Sequence, residues 1–410
     1  MNLVENLNTK NNIYLFCQYF PYLGGEQFLF NEVEYYPKDA KSFVFTEHKN
    51  EGEKIILPDN FEVIHENFSN KTTVRLILKS HWSLIIEIFL YEIFTSPHRW
   101  KYIKNFKTHL FLLIGYLQKA EILLKHIPKS SPNLTLYSYW FDEWATILNL
   151  VKKIRKNKVT VICRTHAYDF DEAQVNSGYH IFRSFDLKEI DKVFSISEFG
   201  KKYIESKYKN KFIHVDKLGV KNRGINPIKV DAEVTIVSCS ALIPLKRVDL
   251  IKKLLKKIRT KVIWVHFGNG SLEQSILEEA KTLPKNITFD YKGFVKNEVI
   301  MEFYKTNTVD LFINTSELEG IPVSMMEAIS FGIPIIGCNI CGVPEIVNIK
   351  TGLLLEKNFD IVETANNIEE FISSKSRSMV FREGVKFFWE QNYNADEIYP
   401  QFIKNHLITS

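Results

Sequence analysis

Two glutamates eight residues apart, Glu319 and Glu327, are the side chains best placed for chemistry in this sequence. Ahead of them, Val309 to Asn314 is a short apolar run that reads as a strand. Behind them, Val323 to Phe331 reads as a helix, with Pro322 at its first position and Gly332 at its end. Glu319 therefore falls on the strand-to-helix turn and Glu327 on the second helical turn. Between them lie the unpaired N–H groups of a helix start, which favour anionic and hydroxyl-rich ligands. Spacing alone is weak evidence, because Glu26 and Glu34 share it and read as coincidence. Context singles out the later pair: Gly320 and Pro322 within it, then Gly332-Ile333-Pro334 and Gly342-Val343-Pro344-Glu345.

Other residues could share such a site. Lys246-Arg247 follows the strand Val234–Cys239 and, as a bare pair of bases, reads as a solvated helix start. His166 follows the strand Val159–Cys163, at the strand end where open α/β sheets bind ligands, or else it is structural. Gly24-Gly25, after the strand Ile13–Cys17, lets backbone approach a ligand or simply makes a tight turn. Phe267-Gly268-Asn269-Gly270 lacks the third glycine of a dinucleotide fingerprint and reads as a tight turn. Asp169-Phe170-Asp171 has the spacing of a metal-binding pair, but its place after a strand end favours a capping or surface role for Asp171 and no metal. Cys338-Asn339-Ile340-Cys341 has no second pair and reads as turn packing.

The elements that must position these residues alternate strand and helix. Apolar runs without alternation indicate parallel strands covered on both faces. Strands are expected also at Ser42–Thr46, Phe61–His65, Leu134–Tyr139, Lys192 onward, Val262–Phe267, Ile287–Tyr291, Ile333–Gly337 and Leu353–Leu355, with a helix from about Gln27 to Tyr36. The expected fold is α/β, two Rossmann-like domains facing a cleft, with 1–225 and 226–385 as the domains. Residues 386–410 form terminal helices, and Lys221 to Pro227 reads as linker. At 410 residues each half can bury its own core. Residues 72–127 read as long helices mixing Lys and Arg with Trp, Tyr and Phe, either a surface for an anionic bilayer or a solvated basic face. A net charge of +5 gives no reason to invoke nucleic acid. Five cysteines suit a reducing compartment rather than a disulfide scaffold. The sequence shows neither a secretory signal nor an apolar run of spanning length, so a cytoplasmic location, with contact at the inner face of the plasma membrane, is expected.

The run Glu319-Gly320-Ile321-Pro322 through Glu327-Ala328, with Gly332-Ile333-Pro334 and Gly342-Val343-Pro344-Glu345, resembles the retaining nucleotide-sugar glycosyltransferases of family 4, of the GT-B architecture. The likeness is dense over about residues 235–356 and thinner before them. It implies sugar transfer from a nucleotide diphosphate sugar to a glycan or lipid-linked acceptor in cell-surface polysaccharide or glycolipid synthesis, without metal or other cofactor. It implies that Glu327 accepts the ribose hydroxyls, and that Glu319 and the amides after Gly320, with Ile321 and Pro322, grip the sugar. Lys246, Arg247 and Gly24-Gly25 would offset the diphosphate, Gly293 and Phe294 would abut the nucleobase, and His166 would contact the sugar near its reacting carbon. The terminal helices would cross back onto the N-terminal domain. Where the family carries Gly-Arg, this chain has Ser240-Ala241, which removes one cation. That departure keeps two alternatives open: a non-catalytic sugar-nucleotide-binding subunit, and another enzyme of this architecture such as an epimerase.

Overall fold

The structure, a computed structural model, describes residues 12–22, 26–49, 54–65, 73–127, 134–155, 159–172, 175–208, 212–229 and 233–408. The chain divides into two units: Met1–Asp216 with Tyr399–Ser410, and Lys217–Ile398.

Among the described residues, the first unit has seven parallel strands. They are β1 (Ile13–Cys17), β2 (Ser42–Thr46), β3 (Phe61–Ile64), β4 (Leu134–Ser138), β5 (Val159–Thr165), β6 (Lys192–Ser195) and β7 (Ile213–Val215), in the order β3-β2-β1-β4-β5-β6-β7. β1, β2 and β4 are buried along their whole length, because helices cover both faces of a parallel sheet. Phe16 stacks on Phe45 at 4.6 Å and meets Trp144 at 5.3 Å in this core. The order reverses between β1 and β4.

Among the described residues, the second unit has six parallel strands: β8 (Val234–Cys239), β9 (Val262–Phe267), β10 (Ile287–Gly293), β11 (Leu311–Asn314), β12 (Ile335–Cys338) and β13 (Gly352–Leu355). Their order is β10-β9-β8-β11-β12-β13, so this sheet reverses between β8 and β11. Both Rossmann-like sheets expected from the sequence are present, with strand ends shifted by one or two residues. One local expectation fails. Instead of a helix from Gln27 to Tyr36, a 3-10 turn at Gln27–Leu29 leads into a single α turn at Phe30–Val33; Pro37 disfavours helical geometry at Tyr36. The segment expected as linker contains Asn226, which is buried. Its side chain donates to the Tyr304 and Asn307 carbonyls and accepts from Val309 N–H and Arg382.

Between β3 and β4 the first unit carries the helices Val74–Thr95, Arg99–Lys104 and Phe106–His126. They dock through Ile77, Ile85, Ile88, Leu113 and Leu117. Glu92, buried in the first of them, accepts the Phe185 N–H at 2.7 Å. Their outer face is apolar as well. Trp82 is 61% exposed, Phe94 76% and Trp100 73%, and Ile86 and Leu90 continue the stripe from Trp82 to Phe94 at four-residue spacing. Arg75, Lys79, Arg99, Lys104 and Lys107 are exposed on the same helices. No helix among the described residues is long and apolar enough to cross a membrane.

A buried charge network ties the first unit together. Arg164, on β5, meets Glu32 at 3.3 Å and Asp216 at 3.0 Å, and donates to the Tyr137 hydroxyl at 3.0 Å. Its guanidinium lies 4.4 Å above the Phe402 ring. Phe402 also packs on Tyr137 and Phe194, and Tyr399 packs on Tyr35, so the end of the chain completes this core.

Candidate active site

In an open parallel sheet, ligands bind beyond the strand C-termini where the strand order reverses, because the loops there diverge and leave a crevice. In the second unit that point lies between the loops after β8 and β11, which carry Ser240 to Arg247 and Thr315 to Pro322. The two loops are bonded to each other. Glu317 N–H donates to the Leu245 carbonyl at 2.8 Å, and the Thr315 hydroxyl donates to the Arg247 carbonyl at 2.9 Å. Arg247 is in the left-handed region, at φ 46°. Its guanidinium donates to the carbonyls of Thr315 (2.7 Å), Ser316 (3.3 Å) and Lys357 (3.1 Å) and contacts Cys338 Sγ. Arg247 thus holds the β11 loop, and to reach a diphosphate it would give up one of these bonds.

Lys246 Nζ lies 2.5 Å from Glu319 Oε1, and both side chains are mostly buried. Asn314, the last residue of β11, steadies this loop, with Oδ1 accepting from Ser316 N–H at 2.8 Å and Nδ2 reaching Glu319 Oε1 at 3.4 Å. After Glu319 the chain enters the helix Val323–Ser330 with Pro322 as its cap. Gly320, Ile321 and Pro322 are buried, and the amides of Gly320, Ile321, Val323 and Ser324 have no acceptor among the described residues. One turn on, half-buried Glu327 accepts a hydrogen bond from Asn297 Nδ2 at 2.7 Å. Burial pushes its carboxyl up to about 7, against the opposing pull of Asn297 and Arg223. Gly332 ends the helix at φ +71°, where a Cβ would fall 2.8 Å from the Arg382 carbonyl.

The loop after β9 closes over the loop after β8. Gly268, at φ +124°, packs so tightly that a Cβ would sit 2.0 Å from the Ser240 carbonyl oxygen, so no other residue fits this turn. Gly268 N–H donates to the Gly293 carbonyl at 2.8 Å, joining this turn to the end of β10. Phe294, next in the chain, is exposed. The second unit therefore gathers Lys246, Arg247, Glu319, Gly320, Ile321, Pro322 and Glu327 around its switch point, with Gly293 and Phe294 at the C-terminal end of an outer strand.

His166 and Gly24-Gly25 belong to the first unit. Gly24 and Gly25 lie outside the described residues. His166 follows β5, is buried, and sits among Trp140 (4.4 Å), Tyr139 (5.0 Å) and Phe28 (5.6 Å). Its Nε2 bonds the Tyr139 carbonyl at 3.1 Å, which assigns the proton to that nitrogen. Burial, then the charge of Arg164, lowers its pKa to about 3, so the ring is neutral at any working pH. Asp169 caps this turn: its Oδ2 accepts the His166 N–H at 2.8 Å. None of the five cysteines is in a disulfide, and Cys338 packs against Arg247. No group of three or more His, Cys, Asp or Glu among the described residues is placed to hold a metal.

Sequence reasoning missed Glu26. Its carboxylate accepts the N–H groups of Gln18 (2.9 Å), Tyr19 (2.6 Å) and Phe20 (2.6 Å), together with Trp140 Nε1. It closes the β1 loop against the β4 loop at the first sheet's switch point. The available signal was an acid right after a glycine pair, at a strand end.

Residues 222–386 match the family model described as glycosyl transferases group 1. No curated protein sequence matches the chain. Among solved structures, the chain is similar to a lipopolysaccharide outer core galactosyltransferase, WaaB, in its apo form (15% identity, 97% of this chain and 99% of that one, TM-score 0.64). It is also similar to a sucrose-phosphate synthase from Thermosynechococcus elongatus (13%, 96% and 98%, 0.70). A third is Anabaena Alr3699/HepE in complex with UDP and glucose (13%, 97% and 99%, 0.65). At these identities the likeness shows the fold, which is that of GT-B glycosyltransferases. Together with the matched segment it supports a glycosyltransferase.

Proposed function

We propose that this chain transfers a sugar, with retention of anomeric configuration, from a uridine diphosphate sugar to a glycan or lipid-linked acceptor in cell-surface glycan synthesis. The observation that carries the reading is the pairing of Lys246 with Glu319 beside unsatisfied amides at the second sheet's switch point. Glu327 takes the two ribose hydroxyls. Glu319 and the amides from Gly320 to Ser324 bind sugar hydroxyls and phosphate oxygens. Lys246 offsets the negative charge that grows on the diphosphate as the glycosidic bond breaks. Retention follows if the acceptor attacks from the side the diphosphate leaves, with a phosphate oxygen taking the acceptor's proton, so that Glu319 binds rather than attacks. Arg247 positions the Glu319 loop and Gly293 and Phe294 border the base. Gly24 and Gly25 contribute phosphate contacts. His166, held neutral, donates or accepts hydrogen bonds at the sugar rather than moving a proton. No metal or other cofactor takes part. The choice of UDP draws on the HepE structures, determined with UDP and with UDP-glucose.

The helices from Val74 to His126 support a further part of the proposal, peripheral contact with an anionic membrane on the cytoplasmic side. An apolar stripe flanked by lysines and arginines suits insertion at headgroup depth. Ala241 favours a second reading, a nucleotide-sugar-binding subunit without catalysis, since Arg247 is engaged elsewhere. Incubating purified protein with UDP-, GDP- and ADP-sugars, with thermal shift and nucleotide release as readouts, decides between them. The proposal expects stabilisation by UDP-sugars and slow UDP release. Binding without release over hours, even with acceptor glycolipids present, selects the subunit.

A further inference from the structure

The first unit holds a cavity of about 240 Å³ that the donor chemistry does not use. It lies between the helix Phe106–His126, the residues following β4, the pair Tyr168-Asp169, and residues 175–186. The volume falls below the roughly 300–1,000 Å³ of pockets for drug-sized ligands and gives room for a single ring. Two kinds of side chain dominate the walls. Tyr116, Phe141, Tyr168 and Tyr179 give flat apolar faces, and Asp142, Glu143, Asp169 and Asp186 give carboxyl oxygens.

Arg183 is the guanidinium in this wall. It is 4% exposed and stacks 3.6 Å from the Phe141 ring. Its Nη2 donates to the carbonyls of Phe141 (2.7 Å) and Asp169 (3.0 Å). Its Nη1 is buried and has no hydrogen-bond acceptor among the described residues. A buried guanidinium N–H left unsatisfied is costly, and a ligand oxygen would satisfy it.

The lining narrows the ligand class. A metal ion is disfavoured, since no cluster of acids among the described residues is placed to hold one. An anion is disfavoured too. Four carboxyl groups, of Asp142, Glu143, Asp169 and Asp186, face the cavity against the one guanidinium of Arg183, so the lining offers far more acceptors than an anion can use. A sugar ring matches: its hydroxyls donate to the carboxyls, one oxygen accepts from Arg183, and its C–H face packs on the aromatic rings.

We propose that this cavity seats one uncharged sugar ring of the acceptor, held by Asp142 and Glu143, by Arg183 Nη1 and by the ring of Tyr168. The assignment rests on the glycosyltransferase reading, and its test keeps the two apart. Saturation-transfer NMR of the full chain would use the methyl glycosides of glucose, galactose, N-acetylglucosamine and glucuronic acid as probes, with UDP binding measured by calorimetry on the same samples. At least one neutral glycoside gives transfer and the glucuronide gives none. Asp142→Asn keeps the cap on the helix Glu143–Ile154, because Asn caps as well as Asp. It weakens glycoside binding about tenfold or more, as does Glu143→Gln, with UDP affinity unchanged. Tyr168→Ala alters an exposed ring, so the protein stays folded, and it weakens the same signal. No transfer from any neutral glycoside, equal binding of the glucuronide, or wild-type binding by folded Tyr168→Ala overturns the proposal. Glycoside binding without UDP binding would keep the cavity and refute the donor reading; UDP binding without glycoside binding would do the reverse.

Discussion

Replacing Glu327 by Gln separates two consequences of one half-buried carboxyl. Burial raises its pKa from 4.5 to about 7, and at 1.36 kcal/mol per pH unit the ionised form costs about 3 kcal/mol of stability. The sign follows from the direction of the shift. A folded pKa above the unfolded one gives stability that is complete below about 4.5 and is lost as pH rises through about 7. Gln keeps an acceptor for Asn297 but never ionises. The stability difference between Glu327→Gln and the wild type, in urea unfolding, therefore shifts toward the variant by up to about 3 kcal/mol between pH 5 and pH 9. UDP affinity moves the other way. Hydrogen bonds to a charged acceptor contribute about 1.5–3 kcal/mol, so the dissociation constant at pH 8 rises roughly 10- to 150-fold, and wild-type affinity itself strengthens as pH passes about 7. A stability difference that does not change with pH refutes the buried carboxyl. An unchanged UDP affinity at pH 8 refutes its contact with ribose.

Arg164→Met removes the buried cation shared by Glu32 and Asp216 and costs about 3–5 kcal/mol in the first unit's unfolding; a loss under 1 kcal/mol would contradict the network. His166→Ala lowers turnover while UDP affinity holds, and unaltered turnover would leave that ring a structural role only. Trp82→Glu with Trp100→Glu reduces sedimentation with phosphatidylglycerol vesicles at least fivefold; equal sedimentation would show that the exposed stripe does not meet lipid.

The second unit was more legible than the first. Its strands are short apolar runs with turn residues at both ends, so β8, β9 and β11 are found where their composition puts them. The Glu319 turn is marked by Gly320 and by Pro322, which caps the helix Val323–Ser330. What the sequence hid depends on distant partners. Arg247 reads as a free cation until its bonds to Thr315, Ser316 and Lys357 are visible. Asn226 reads as linker because polar residues beside Gly and Pro suggest loops, whereas here one amide satisfies four backbone and side-chain groups from two stretches, 304–309 and Arg382. Glu26 shares its spacing to Glu34 with the Glu319 pair, yet its role comes from amides brought back by the β1 loop. The cavity at Arg183 is assembled from three separated segments, and no spacing rule could reveal it.

A crystal structure of the protein with UDP tests the central claim most directly. The claim predicts a diphosphate bound by Lys246 Nζ and the amides from Gly320 to Ser324, with the ribose hydroxyls on Glu327. A nucleotide bound away from the loops after β8 and β11, or a Glu327 carboxylate turned from the ribose, would contradict it.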